Sequence, residues 1–327
     1  MNSPLQPFIT PWTEKAQVQL YLKREDFLHP VYGGNKIRKL KYIVEDAIRF
    51  NKKGILTCGG AYSNHVRATA VYATEKGLKS AAIIRGEEVD NETLKVAQTY
   101  GMQLFFVSRD QYRLLRENDK LSRSAGPSAV VRVPTQHSSN IPSREDTCRG
   151  NDLAFEYSGL SKSDWYYIPE GGHHTLAVNG VAELVSEIDI PYNYLATACG
   201  TGTTFAGLMR GVQQYQHSAK LMGFPVLKKG EFLLEEIQAL LGEEFNQELI
   251  HYFSSEFALG GYAKTNAEYL TFLTDLEKET GVLFDPIYNG KMIWGLKTLM
   301  ERGFFPQGST IIALHTGGQQ GWNGIVK

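Results

Sequence analysis

The sequence predicts an α/β protein whose strands run mostly parallel. Two observations carry that expectation. Short apolar runs ending in glycine alternate with segments of helical periodicity, and the alternation resumes after a long polar gap. Strands separated by helices build βαβ units, because a parallel neighbour is reached only through a crossover connection.

The elements follow in order. Gly33-Gly34-Asn35-Lys36 is a glycine turn that delivers a lysine to a helix. Ile37, Leu40, Ile43, Val44 and Ala47 then recur at three- and four-residue spacing, the period of an amphipathic helix. Gly54 to Cys58 reads as a strand leading into Gly59-Gly60, followed by a helix from about Asn64 to Lys76. Lys79 to Ile84 is a second strand, Asn91 to Tyr100 a helix, and Gln103 to Val107 a third strand. Asp110 to Arg149 is polar, carries three prolines and holds one apolar island, Ala129 to Val133. Domain seams fall in such segments. Beyond it come a strand at Trp165 to Ile168, a helix at Leu176 to Ile188, a strand at Tyr194 to Ala198 and a helix at Thr203 to Val212. Ser309 to Leu314 is a late strand, just before Gly317-Gly318.

Composition narrows the function classes. At 327 residues the chain suffices for one large or two ordinary domains. A formal net charge of −1 gives no bulk attraction for nucleic acid or an anionic membrane. The longest apolar runs are strand-sized, far below a membrane span. The first eleven residues lack a basic start and a cleavage-type apolar stretch, so cytoplasm is the expected compartment. Cys58, Cys148 and Cys199 are too far apart for a zinc spacing and too few for a disulfide framework. They are expected reduced and mostly buried.

Three segments carry candidate chemistry. Lys36 sits at a helix start, where free N–H groups disfavour an ammonium. A desolvated lysine there has a depressed pKa and can serve as an amine nucleophile toward a carbonyl cofactor. An ordinary surface lysine at a helix start is the plain alternative. Ala196 to Thr204 (Ala-Thr-Ala-Cys-Gly-Thr-Gly-Thr-Thr) follows a strand and opens a helix. Its backbone N–H groups and hydroxyls suit a phosphate, although a plain tight turn fits equally well. It is neither a Walker A sequence nor a dinucleotide fingerprint, since position 205 is Phe. Gly59 to His65 is a second strand-to-helix turn, with Ser63 or Asn64 as N-cap, and its N–H groups can also meet a carboxylate. His173-His174 points to no metal, because adjacent histidines diverge and no third ligand lies at useful spacing.

Six segments in order resemble one family. They are Gly33 to Leu40, Gly60 to Arg67, Ile168 to Gly172, Cys199 to Thr204, Asp285 to Lys291, and His315 to Gly318. The chain is similar, from about Lys23 to Gly318, to the pyridoxal-phosphate (PLP) enzymes grouped as 1-aminocyclopropane-1-carboxylate (ACC) deaminases and D-cysteine desulfhydrases. The resemblance implies a tryptophan-synthase-β-like fold: two open, twisted, mostly parallel sheets flanked by helices, with the active site in the cleft between domains. The smaller domain would span 37–148, and 1–36 plus 149–327 would form the larger, discontinuous one.

The resemblance also assigns roles. Lys36 would hold the cofactor. Gly200, Thr201, Gly202 and Thr203 would bind its phosphate, with Lys39 reaching the same group. Asn64 would lie beside the 3′-oxygen, and Ser63 with His65 would meet the substrate carboxylate. Tyr62 stands where many relatives have Gln. Tyr262 and Tyr288 match segments whose tyrosines point at the substrate. The partner of the pyridine nitrogen follows the motif tyrosine, as Glu in ACC deaminases and Thr in D-cysteine desulfhydrases; here it is Asn289, with Thr316 the other neutral choice. A neutral partner makes a weaker electron sink, which suits loss of a good β-leaving group better than opening a cyclopropane. The implied activity is therefore D-cysteine desulfhydration, a lyase reaction, with ACC deamination second and PLP binding without robust turnover third. A nucleotide-binding module built on the Gly200 turn ranks last, since it leaves Lys36 unexplained. Homodimers are the implied assembly, and a small amino acid the implied substrate.

Overall fold

A computed structural model of the chain describes residues 2–124, 151–215 and 218–325. The apolar island at Ala129–Val133 and Cys148 lie outside the described residues. In chain order the elements are β1 (Leu5–Pro7), α1 (Pro11–Ala16), β2 (Gln19–Arg24), α2 (Lys36–Arg49), β3 (Gly54–Gly60), α3 (Asn64–Glu75) and β4 (Lys79–Arg85). Then come α4 (Glu92–Thr99), β5 (Gln103–Val107), α5 (Arg109–Ser124), α6 (Asp152–Ser158), β6 (Trp165–Ile168) and α7 (Thr175–Ala182). The remainder is β7 (Tyr194–Cys199), α8 (Thr203–Gln214), β8 (Lys220–Pro225), α9 (Leu233–Leu241), β9 (Ile250–Phe253), α10 (Ala267–Thr280), α11 (Asn289–Glu301) and β10 (Thr310–His315).

Two mostly parallel sheets result, as expected. The contacts divide the chain into residues 38–180 and residues 1–37 with 181–327. The smaller unit carries a four-stranded sheet in the order β5-β4-β3-β6, every pair parallel. Strands β3, β4 and β6 are buried on both faces, as parallel strands must be when helices cover each side, and the edge strand β5 is half-buried. Leu56, Cys58, Ala81 and Ile83 pack with Tyr112, Leu115 and Phe155 on one face, and Ala82 and Ile84 with Val66, Ala70 and Leu94 on the other.

One expected boundary moves. The break was expected at 148/149, yet residues 149–180 group with the smaller unit. The cause is β6, which pairs with β3 from Gly54↔Trp165 to Thr57↔Ile168. Gly54 permits that pairing, since a Cβ there would lie 2.6 Å from the Trp165 ring.

The larger unit carries a six-stranded sheet in the order β1-β2-β10-β7-β8-β9. β1 is antiparallel to β2 and the other pairs are parallel. One face packs Leu22, Ala196, Phe224 and Ala313 against Leu273 of α10 and Met292, Ile293 and Leu296 of α11. Each fully buried aliphatic of this kind is worth about 2–5 kcal/mol against alanine.

Candidate active site

In the larger unit, β2, β7 and β10 run side by side in one direction, so their carboxyl ends open on the same edge. Open α/β sheets bind ligands at that edge. Three loops leave it and are pinned together at short range. Gly34 has φ +80°, and a Cβ on it would lie 1.7 Å from the Thr316 carbonyl oxygen, so only glycine fits. Asn35 is buried and its Nδ2 donates to Thr204 Oγ1 at 2.8 Å. Gly200 lies against Tyr288, whose Cε1 would be 2.9 Å from an added Cβ. Lys36, the Gly200–Thr204 turn, Tyr288 and Thr316 are thereby gathered at one edge.

Lys36 is the first residue of α2. Burial pulls its ammonium down to about 8, and the Asp285 carboxylate offsets part of that. The depressed amine matches the expectation of a desolvated lysine, and burial is what lowers it. The turn after β7 ends with Gly202 at φ +76° as the N-cap of twelve-residue α8. Thr201 and Thr203 share a hydroxyl hydrogen bond at 3.1 Å. Two hydroxyls and the first N–H groups of a helix form an anion-binding set.

Tyr288 Oη donates to Tyr262 Oη at 3.4 Å, with the rings edge to face. Below them, Asp285 is fully buried at the start of α11. Its Oδ1 accepts from the N–H groups of Ile287 (3.0 Å) and Tyr288 (2.7 Å), and its Oδ2 accepts from the Asn289 N–H at 2.9 Å. Burial pushes this carboxyl up, while the N–H donors of Asn289, Tyr288 and Ile287 pull it back. Read from sequence as a turn into a helix, Asp285 is that and also the buried anion under the site. Asn289 Nδ2 donates to Asp285 Oδ2 (2.5 Å) and to the Gly317 carbonyl (2.7 Å). Its Oδ1 accepts from the Thr316 N–H and from Thr316 Oγ1, both at 3.0 Å. All four of its side-chain hydrogen-bonding positions are filled.

Four of the sequence-derived residues lie in the smaller unit. Ser63 is the N-cap of α3 and accepts from the Val66 N–H at 3.3 Å. Asn64 opens the helix. His65 is buried, its Nε2 2.9 Å from Thr57 Oγ1, so its ring faces the interior and its backbone N–H is what a carboxylate can use. Lys39 is buried as well, and Tyr62 is half exposed. Nearby His174 Nδ1 accepts from the Leu176 N–H at 3.1 Å, and among the described residues no cluster of His, Cys, Asp and Glu side chains suits a metal.

The family described as "Pyridoxal-phosphate dependent enzyme" matches residues 4–317. The chain belongs to that family. Its cofactor is pyridoxal 5′-phosphate. This pyridoxal-phosphate enzyme is 26% identical over 328 residues to a "Putative 1-aminocyclopropane-1-carboxylate deaminase" of Thermotoga maritima, covering 97% of this chain and 93% of that one. It is 28% identical over 313 residues to "D-cysteine desulfhydrase" of Yersinia enterocolitica, covering 92% and 86%. A solved structure described as an "ACC deaminase homologue" shares its fold, with a TM-score of 0.75 at 23% identity over 98% of this chain and 91% of that one.

The residues present fit the cofactor. An anion-binding helix start meets the need of a phosphate, and an amine held near about 8 that of an aldehyde. Thr316 Oγ1 is a neutral oxygen of the kind a heterocyclic nitrogen can pair with. Sequence reasoning did not single out Asn35 or the anchoring role of Asp285. An aspartate a few residues before a helix is a capping signal that could have flagged the latter.

Proposed function

We propose that this enzyme is a D-cysteine desulfhydrase, releasing pyruvate, hydrogen sulfide and ammonia. The observation that carries the reading is the neutral pair Asn289 and Thr316, where a deaminating relative would need a carboxylate. Asp285, the nearby carboxylate, already accepts four N–H hydrogen bonds. When bound, pyridoxal phosphate supplies an electron sink for the pair left at the substrate α-carbon.

The chain's residues supply the rest. Lys36 Nζ would hold the cofactor aldehyde and, as a free amine, would take the α-proton. Gly200, Thr201, Gly202 and Thr203 hold the phosphate, with Lys39 as a second cation for it. Thr316 is assigned to the pyridine nitrogen in preference to Asn289, because Asn289 has no hydrogen-bonding position left. Tyr288 gives a proton to the departing sulfur, and Tyr262 orients the Tyr288 hydroxyl by donating its own O–H back across the pair. The resemblance implies that Asn64 would meet the 3′-oxygen, and that Ser63 and the His65 N–H would take the substrate carboxylate. The second reading, opening of ACC to 2-oxobutanoate and ammonia, uses the same Lys36 and draws support from the Thermotoga relative's name. We assign the enzyme to the cytoplasm and to a homodimer. Among the described residues no helix is long and apolar enough to cross a membrane, and Cys58 and Cys199 are buried free thiols.

The test is release of sulfide and pyruvate from D-cysteine by the PLP-loaded protein, with Lys36→Ala as the blank and ACC assayed in parallel. Stoichiometric release above the blank supports the desulfhydrase. 2-Oxobutanoate from ACC without sulfide from D-cysteine overturns it in favour of the deaminase. A visible cofactor band with neither product reduces the protein to a PLP binder.

A further inference from the structure

Lys291 is a buried cation that neither the phosphate turn nor the amine chemistry uses. It lies on α11, one turn beyond Tyr288, and is 1% exposed. An ammonium so deep needs acceptors, and it has two: Nζ donates to the Ala258 carbonyl and to the Gly261 carbonyl, each at 2.7 Å. Both carbonyls belong to one irregular turn. Gly261 N–H donates to the Ala258 carbonyl at 3.0 Å, and Lys264 N–H to the Gly261 carbonyl at 3.1 Å. Leu259 (φ +53°), Gly260 (φ +89°), Gly261 (φ +133°) and Ala263 (φ +55°) all have positive φ. Left-handed conformations at Leu and Ala persist only where the surroundings enforce them. Tyr262 sits among these residues and is 45% exposed, so its direction comes from the turn more than from packing.

We propose that Lys291 is a positioning residue: by tying the Ala258 and Gly261 carbonyls to α11, it fixes the turn that presents Tyr262 to Tyr288. The helix capped by Tyr288 thereby holds both members of the hydroxyl pair, Tyr288 at its N-cap and Tyr262 through the ammonium. Burial brings the Lys291 amine down to about 8, with Asp285 opposing, so at neutral pH the clamp is mostly an ammonium. The consequence for turnover rests on the proposed role of the tyrosine pair; the clamp itself does not.

The experiment combines hydrogen exchange with a double-mutant cycle on the PLP-loaded enzyme. Lys291→Met should speed amide exchange at residues 258–264 about tenfold or more while leaving β10 protected. Lys291→Gln, which keeps a donor for one carbonyl, should fall between, and serves alone if the Met variant does not fold. With D-cysteine, Lys291→Met and Tyr262→Phe should each lower kcat more than they raise KM. The double variant should be no slower than Tyr262→Phe by more than about twofold, because Lys291 acts through Tyr262. Unchanged exchange at 258–264, or losses that multiply, would overturn the proposal. Full turnover by Tyr262→Phe would instead remove the role of Tyr262, and the exchange arm would then decide the clamp by itself.

Discussion

Thr316 gives its hydroxyl proton to Asn289: Oγ1 donates to Asn289 Oδ1 at 3.0 Å, and its own N–H donates to the same oxygen. The direction is fixed from below. Asn289 Nδ2 faces the Asp285 carboxylate and the Gly317 carbonyl, two acceptors, so the amide cannot be turned over. With its proton committed, Thr316 Oγ1 presents lone pairs but no charge, so it can accept from a ring N–H without stabilising the ring cation as a carboxylate would.

Thr316→Val keeps the shape and removes that oxygen. The expected outcome is a folded protein that still binds PLP through Lys36 but shows a shifted visible band and turnover down about tenfold or more, on the scale of a lost hydrogen bond to a charged group. An unchanged spectrum and rate would end the pairing of Thr316 with the ring nitrogen.

Asn289→Asp replaces the two N–H donors with an oxygen facing two acceptors. At pH 7 it should cost about 3–5 kcal/mol, the penalty for an uncompensated buried charge. The two carboxyls would share a proton, so the folded pair titrates above its unfolded value. Stability should therefore return as the pH falls from 7 to 5. Urea midpoints at both pH values check this, and an equal loss at both contradicts it.

Gly34→Ala meets both a φ of +80° and an oxygen 1.7 Å from the new Cβ. Gly77 has φ +74° with nothing within 4 Å of an added Cβ. Gly77→Ala should thus cost only the backbone term, about 1–2 kcal/mol, and Gly34→Ala at least about 1–3 kcal/mol more from overpacking. Chemical denaturation of the two variants side by side isolates the contact. Equal losses would mean that the Gly34–Thr316 approach is slack.

Burial holds Lys36 at about 8 in the folded chain against an ordinary 10.5. Between those values the unfolded chain binds the extra proton, so the lysine's penalty on stability is full below about 8 and fades as the pH rises toward 10.5. In apoprotein, Lys36→Met should flatten the rise in stability across that window. Matching slopes for variant and parent would show that the amine is solvated.

The parts legible in sequence were those with a local signature. Helix α2 showed in Leu40, Ile43, Val44 and Ala47, and the β7 turn in its glycines and threonines. Strand β2 escaped because Lys23-Arg24 reads as a surface pair. In the fold both are buried: Lys23 pairs with Glu187 at 3.1 Å and Arg24 with Asp26 at 2.7 Å. Charges separated from their partners by more than 160 residues, as Lys23 is, leave no periodicity to find. β6 was seen as a strand, but not that it would join β3. Lys291 and Asn289 stood in a recognised motif, yet their roles depend on Ala258, Gly261 and Gly317, which only folding brings near.

The neighbour of β2 on the interior of its sheet is β10, the last of the described strands, paired residue for residue from Gln19↔Thr310 to Arg24↔His315. A growing chain therefore makes the start of the lysine-bearing loop long before its docking edge. Until residues 310–316 emerge, the Gly34 turn has no carbonyl to lie against, and Lys36 has no pocket to lower its pKa. Such long-range pairing slows folding and leaves apolar strands exposed meanwhile. It also withholds a reactive amine from the cell's aldehydes until residues 310–316 have been made.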